Sequence, residues 1–402
     1  MIAVNSISIK SRLPLKIGIL SLSLIVQAAG AVAASISFIM SDFSDRTIAE
    51  VQSILTLPSM AILIFILLSP WFIKKLGKKR TVCIGLFAAL IGGILPAFTM
   101  DFKLILFARV LFGAGLGLFN SMTVSLIGDN FSDSEQKNLL GIQSAIMTLG
   151  NSLTTFVAGL LLNISWQASF LVYMVIIPIF FLFILGYRNA KEESIEAATA
   201  PSNVISMKQL PLNVSLGILT LFLFFTSLMV IITSSSLLIQ ELALPNQGFL
   251  STALAIASIS SGLISLAFGR ISQILKRFTP VVVIVVAMIG FFTITLAPTM
   301  TIFFIGLVVV YFSNLVVPYV YSVILSDVEP KANNLVVSLA MAACNLGAFS
   351  SPYIINFISQ LLGVTTALMQ VRIAAGIMAV IAVIFIFLAS DNKKTLAAQK
   401  EI

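Results

Sequence analysis

The chain has 402 residues, 59% hydrophobic and 9% charged, with a mean hydropathy of +1.11 and a formal net charge of +8. A soluble globular protein carries about 25% charged residues, so this composition cannot cover a water-facing surface and excludes a soluble enzyme or binding module. Histidine is absent, which removes the usual proton shuttle and the commonest metal ligand; no cofactor or metal is expected.

The first apolar run, "KIGILSLSLIVQAAGAVAASISFIM" (16–40), is full length and is followed directly by another. A signal peptide has a shorter apolar core, a small-residue cleavage site and mature sequence after it, so this run is a first span. Apolar stretches of about 18 residues or more read as membrane helices. Twelve are expected, at 16–40, 51–73, 81–100, 103–128, 138–162, 166–187, 212–236, 248–271, 279–298, 301–325, 335–361 and 366–389. The fold class is therefore all-α integral membrane. The polar stretch "RNAKEESIEAATAPSNVISMKQLPL" (188–212) divides the helices six and six. It predicts an N-terminal bundle over 1–187, a linker over 188–211 and a C-terminal bundle over 212–402. Cys83 and Cys344 fall inside apolar runs without metal-ligand spacing and are expected to be packing residues.

Between spans two and three lies "KKLGKKR" (74–80), five cations around one glycine. With the N-terminus inside, 19 of the 23 Lys and Arg residues fall on the inner side, which predicts both termini cytoplasmic. The basic loop is then an anchor beside anionic headgroups, and no nucleic-acid partner is expected. Short loops and no organellar extension point to a bacterial plasma membrane.

The halves repeat in order. "ILPAFTM" (94–100) is echoed by "TLAPTM" (295–300), and "GRISQILKR" (269–277) is a thinner counterpart of the basic loop. "LIGDNFSDSEQKNLLGIQSAIMTLGNS" (126–152) is echoed by "VILSDVEPKANNLVVSLAMAACNLGAFS" (323–350), matching Asp129 with Asp327 and Gly150 with Gly347. The offset stays at roughly 200 residues, as duplicated six-helix halves require, and such halves are a transporter signature.

Three stretches carry a resemblance to a known family. "PWFIKKLGKKR" (70–80) resembles the G-x-L-a-D-r-x-G-r-k-r signature of the major facilitator superfamily. "RVLFGAGLG" (109–117) resembles its R-x-x-q-G-x-g signature, and "SWQASFLVY" (165–173) its W-r-w-x-F stretch. The resemblance covers essentially the whole chain and implies two pseudo-symmetric six-helix bundles of a drug- or solute-exporter-like transporter. It implies that Lys74, Gly77, Lys78 and Arg80, with Asp129 and Asp327, form a gating loop region. The family's Asp falls on Lys74, its Arg after helix 4 on Gln136, and of the antiporter branch's G-P-x-x-G-G the stretch "TTFVAG" (154–159) keeps only Gly159. A lysine at a helix N-terminus is disfavoured by the macrodipole, so Lys74 is expected to pair with Asp129, Asp327 or Glu329.

Arg109 is the one charge deep in an apolar span. Its burial costs at least about 2.5–3.5 kcal/mol on insertion scales. It is either a binding or coupling residue or a structural one that bonds helix-end carbonyls. Gln27, Asn120, Gln143, Asn151, Asn314, Tyr319 and Asn345 are further substrate or coupling candidates, since an amide in lipid must be bonded. No carboxylate matches Arg109 within the spans, which disfavours strongly cationic substrates; the carboxylates, Glu50 and Asp129 among them, lie at the rims. Gly92, Gly93, Gly113, Gly115 and Gly117 are expected to allow close helix packing.

The expected function is a monomeric secondary transporter working by alternating access, exporting a small amphipathic solute with the proton as coupling ion. The alternatives are uptake of a small organic anion held by Arg109, or a non-transporting membrane sensor. No G-x-x-x-x-G-K-[ST] occurs, so ATP driving is not expected. Without convergent catalytic groups, neither is an enzyme.

Overall fold

The computed structural model describes residues 9–187, 211–245, 248–275, 278–326 and 333–398, which are mostly helix, with no strand among the described residues. Among them, ten helices are long and apolar enough to cross a membrane, and up to twelve spans result when each of two bent pairs counts as one. Helices satisfy their own backbone hydrogen bonds, which lipid cannot do.

By residue contacts the chain forms two units: Met1–Val32 with Met60–Thr199, and Ala33–Ser59 with Ala200–Ile402. The linker-based division differs in one respect: residues 33–59, expected in the first bundle, belong with the second unit. The cause is a set of buried polar ties, described below, that the apolar pattern does not reveal. The linker itself, 188–210, lies outside the described residues.

The first unit contains α1 (Ile9–Ser21), most of α3 (Ile48–Leu76), α4 (Lys78–Ile94), α5 (Phe102–Asn130), α6 (Asp133–Leu162), α7 (Trp166–Ser169) and α8 (Ile176–Gly186). Asp101 caps α5, its carboxylate accepting from the Lys103 and Leu104 amides, and Ser165 caps α7 by accepting from Ala168. Gly77 joins α3 to α4 at φ 80°, a left-handed conformation that side chains rarely adopt.

The second unit contains α2 (Ile36–Asp42), the first part of α3, α9 (Leu212–Glu241), α10 (Phe249–Leu266), α11 (Phe268–Leu275), α12 (Thr279–Thr295), α13 (Met300–Tyr311), α14 (Val316–Ser326), α15 (Asn333–Leu361) and α16 (Ala367–Ala398). Glu241, expected as a rim carboxylate, caps α16: its oxygens accept from the Ala367 and Leu368 amides at 2.6 and 3.0 Å.

The repeat is visible in the packing. A Cβ on Gly150 would collide with the Leu24 carbonyl in the first unit, and one on Gly347 with the Phe222 carbonyl in the second. The same correspondence holds for α4 against α5, where Gly92 abuts Ala108 and Phe112, and α12 against α13, where Gly290 abuts Gly306 and Val310. Gly93 faces the Tyr173 ring, Gly115 the Gly85 carbonyl and Gly117 the Ile62 carbonyl, each in the close-packing role expected of them.

Three expected spans are interrupted. The first bends by 44° between Leu13–Leu24 and Ala28–Asp42, through short 3-10 turns at 22–24, 28–30 and 33–35. The sixth tightens to 3-10 over Phe170–Val175, and the tenth over Phe312–Leu315. The expected eighth span, 248–271, ends instead at Leu266; α11 follows it, at 109° to α12.

Candidate functional site

The interruption of the first span explains the buried arginine. The stretch "QAAGAVAAS" (27–35) is built from small residues, so other helices can reach its backbone. Around it the hydrogen bonds are 3-10, Ile25 to Leu22, Ala28 to Ile25 and Ala31 to Ala28, and leave the regular α-helical pattern; carbonyls freed from that pattern in lipid need new donors. Two side chains donate to the backbone of this stretch. Arg109 Nη2 donates to the Ala29 carbonyl at 2.6 Å, and the Tyr173 hydroxyl donates to the Ala28 carbonyl at 3.1 Å. Arg109 Nη1 also lies 3.4 Å from the Tyr173 oxygen.

The guanidinium is walled by rings, with Phe112, Tyr173 and Phe170 centroids at 4.8, 5.5 and 5.8 Å. These cation–π contacts stabilise the buried charge. Arg109 is 0% exposed. The bond to the Ala29 carbonyl is the kind of contact that the structural one of its two expected roles would make. Gln27, which is exposed, lies in the break between Leu24 and Ala28.

Asn314 occupies the corresponding kind of position in the tenth span. It sits in the 312–315 3-10 turn and donates to Ser261 Oγ of α10 at 3.0 Å. Tyr319, one turn beyond, meets the Phe385 ring edge-on at 6.0 Å. Asn345 donates back to Met341 of its own helix at 2.9 Å. Asn120 and Asn151 are half-buried on α5 and α6, and Gln143 is buried on α6. Discontinuous helices with polar side chains at the break are a recurring way to build a transport site.

The residues missed in the sequence are in the second unit. Gln52 Nε2 donates to Gln370 Oε1 at 2.9 Å, Gln370 Nε2 donates to Asn356 Oδ1 at 2.9 Å, and Asn356 Nδ2 donates to Gln52 Oε1 at 3.1 Å. The three amides form a closed ring. Ser234 joins it, accepting from Gln52 at 3.0 Å and donating to Gln370 at 2.7 Å. All four residues are buried. A second tie lies on α2, where Ser37 and Ser236 hydroxyls sit 2.7 Å apart and Ser236 donates to the Ala34 carbonyl. These contacts bind 33–59 to α9, α15 and α16. A polar residue at helical spacing near a span end was the available signal, but partners some 300 residues away were not.

The basic turn at 74–80 is tied to the end of α5. Asp129 pairs with Lys78, not with Lys74, which is exposed at the C-terminus of α3. Lys74 stands where the α3 dipole favours a cation, whereas Lys78 begins α4 and needs an acid beside it. Arg80 is exposed too; Asp327 and Glu329 lie outside the described residues. Gln136, at the position of the family's arginine, donates to the Gly128 and Phe131 carbonyls at 3.0 and 2.8 Å and so closes the end of α5. Lys16 pairs with Glu135 at 3.1 Å. Its hydrogen bond lowers the Glu135 pKa below the ordinary carboxylate value.

The sequence profile of the Major Facilitator Superfamily matches residues 18–352. The chain belongs to that superfamily of transporters. The fold is shared with the POT family transporter PepTSo (TM-score 0.74, 12% identity, 96% of this chain and 99% of that one). It is shared also with the nucleoside transporter NupG (0.72, 14%, 94% and 99%) and the xylose transporter XylE from E. coli (0.67, 12%, 93% and 97%). A curated relative, the multidrug efflux pump LfrA of Mycolicibacterium smegmatis, is 32% identical over 121 residues, 29% of this chain; the match spans 23% of that relative's length.

Proposed function

We propose that the chain is a secondary transporter that works by alternating access and exports a small amphipathic, drug-like solute. The observation that carries this reading is the pair of interrupted spans, with exposed Gln27 at one break and Asn314 at the other, in a chain of this superfamily. The partial likeness to a multidrug efflux pump supports the direction. No carboxylate lies within the middle of a span, which favours neutral or anionic amphiphiles over cations.

No nucleotide-binding loop occurs in the sequence, and we assign a gradient as the energy source and the proton as coupling ion. The transporter sits in a bacterial plasma membrane as a monomer, both termini cytoplasmic, as the Lys and Arg distribution supports. Uptake of an anion held by Arg109 is the weaker reading, because its guanidinium already bonds the Ala29 carbonyl and is enclosed by rings.

The test is reconstitution in liposomes with a pH-sensitive dye inside and a panel of neutral, cationic and anionic amphiphiles outside, comparing wild type with Gln27→Ala. Proton flux that depends on neutral or anionic solutes and falls in the variant is the expected result. Solute movement down its own gradient without proton flux would overturn coupling, and no movement of any amphiphile would overturn the substrate class.

A further inference from the structure

The segment between α10 and α12 holds an element that carrying a solute does not require. α11, Phe268–Leu275, is a separate helix starting one residue after α10 ends, and its axis stands at 109° to α12. Spanning helices tilt on average about 20° from the bilayer normal. A helix nearly perpendicular to one lies close to the membrane plane, at the level where α12 begins. At about 1.5 Å per residue it is also too short to cross.

Its side chains sort by face. At helical spacing Phe268, Ile271, Ile274 and Leu275 share one side, Gly269 and Gln273 lie opposite, and Arg270 stands at the boundary next to Ile274. No residue of α11 is buried by the protein. Ile274 is 79% exposed, and Leu266, just before the helix, is 85% exposed.

We infer that α11 is an interfacial anchor. Its apolar face enters the boundary between headgroups and acyl chains, and Arg270 takes the phosphate of an anionic phospholipid. Two observations favour lipid over a soluble partner or a second copy. α11 is tethered between two spans, so it is held at the bilayer surface at all times. And no Asp or Glu occurs between Glu241 and Asp327, whereas Arg270, Lys276 and Arg277 fall together, so the anion that matches this basic segment is the lipid's own. The inference rests on the membrane spans and not on substrate or direction; a failed transport assay leaves it untouched.

The test uses the full chain carrying Cys83→Ala and Cys344→Ala, with one new cysteine as Ile274→Cys, Ile271→Cys or Gln273→Cys, labelled with an environment-sensitive fluorophore. Each is reconstituted in phosphatidylcholine vesicles with or without phosphatidylglycerol. Labels at 274 and 271 are expected to emit to the blue of that at 273 and to be quenched by nitroxides near the headgroups. Aqueous iodide should quench the label at 273 alone. Phosphatidylglycerol should increase headgroup-level quenching at 274, and Arg270→Gln should abolish the increase. Iodide quenching at 274 equal to that at 273 would overturn the anchor, as would quenching at 274 by mid-bilayer nitroxides, which would mark a re-entrant loop. Indifference to phosphatidylglycerol would overturn the phosphate contact. Two labelled positions on one face guard against a single misfolded variant.

Discussion

Gln52 and Gln370 lie 2.9 Å apart, amide to amide, far from one another in sequence and closed into a ring by Asn356. Removing one member takes two bonds out of the ring and leaves the other two amides bonded to each other. A buried polar group left unpaired costs about 1–3 kcal/mol, while removing both partners of a bond is closer to neutral. Gln52→Leu and Gln370→Leu are each expected to lower the unfolding temperature in detergent, and the double variant by less than the sum of the two, because the bond between them is lost only once. A double variant at least as unstable as the sum of its singles would show that the ring is not a coupled unit.

The Arg109 guanidinium bonds the backbone of the interrupted first span at Ala29. Arg109→Ala loses a charged hydrogen bond to Ala29, worth about 1.5–3 kcal/mol, together with its ring contacts. Transport of every solute in a panel should then fall by a similar factor, with Arg109→Lys intermediate. A change in the ranking of neutral against anionic solutes would instead show that Arg109 touches substrate.

Lys78 and Asp129 form a partly exposed pair, of a kind worth roughly 0.2–1 kcal/mol, so its effect should appear in transport rate and not in thermal stability. Lys78→Asp is expected to slow transport, and Lys78→Asp with Asp129→Lys to restore part of it. Lys74→Asp, at an exposed position, should leave the rate near wild type. Loss of transport in Lys74→Asp alone would return the gating role to that residue.

Glu135 gives a pH signature. Its pKa is lowered first by the hydrogen bond from Lys16, so the folded protein holds the carboxylate charged to lower pH than the unfolded chain, whose reference value is 4.5. The Lys16–Glu135 contribution is present in full above that value and is lost as pH falls through the depressed pKa. The difference in unfolding temperature between wild type and Lys16→Met should be constant near neutrality and vanish on strong acidification. A difference that grew toward acid pH would contradict the pairing.

Gly150 and Gly347 make the same contact in the two units. Gly150→Ala and Gly347→Ala should each destabilise by about 1–3 kcal/mol, as overpacking does. Gly141→Ala on α6, where a Cβ meets nothing, should be neutral or stabilising by about 0.5–1 kcal/mol. Equal losses at all three sites in a thermal-shift series would remove the case for close contact.

Much of the architecture was legible because lipid imposes one rule on every span: each must be long, apolar and helical. Near-constant spacing exposed the repeat, and the Leu24 and Phe222 carbonyls give it a physical cause. The amide ring was not legible. Gln52, Asn356 and Gln370 look like ordinary polar residues in three separate helices, and only the folded chain joins them. The break in the first span was hidden too, since its compensating donors, Arg109 and Tyr173, lie far along the chain. Arg109 was visible as an expensive residue, but its partner was a backbone oxygen, which no side-chain pattern announces. Lys78 was singled out with its neighbours, yet which cation meets Asp129 depends on the turn at Gly77.

The two halves of the repeat differ in a particular way. At the repeat spacing Leu307 stands where the first copy has Arg109, and α9, the counterpart of the interrupted first span, runs unbroken from Leu212 to Glu241. One half has an unbroken spring where the other has a joint with a pin bonded beside it. A chimera built from two first halves would inherit two joints, and one built from two second halves would inherit none.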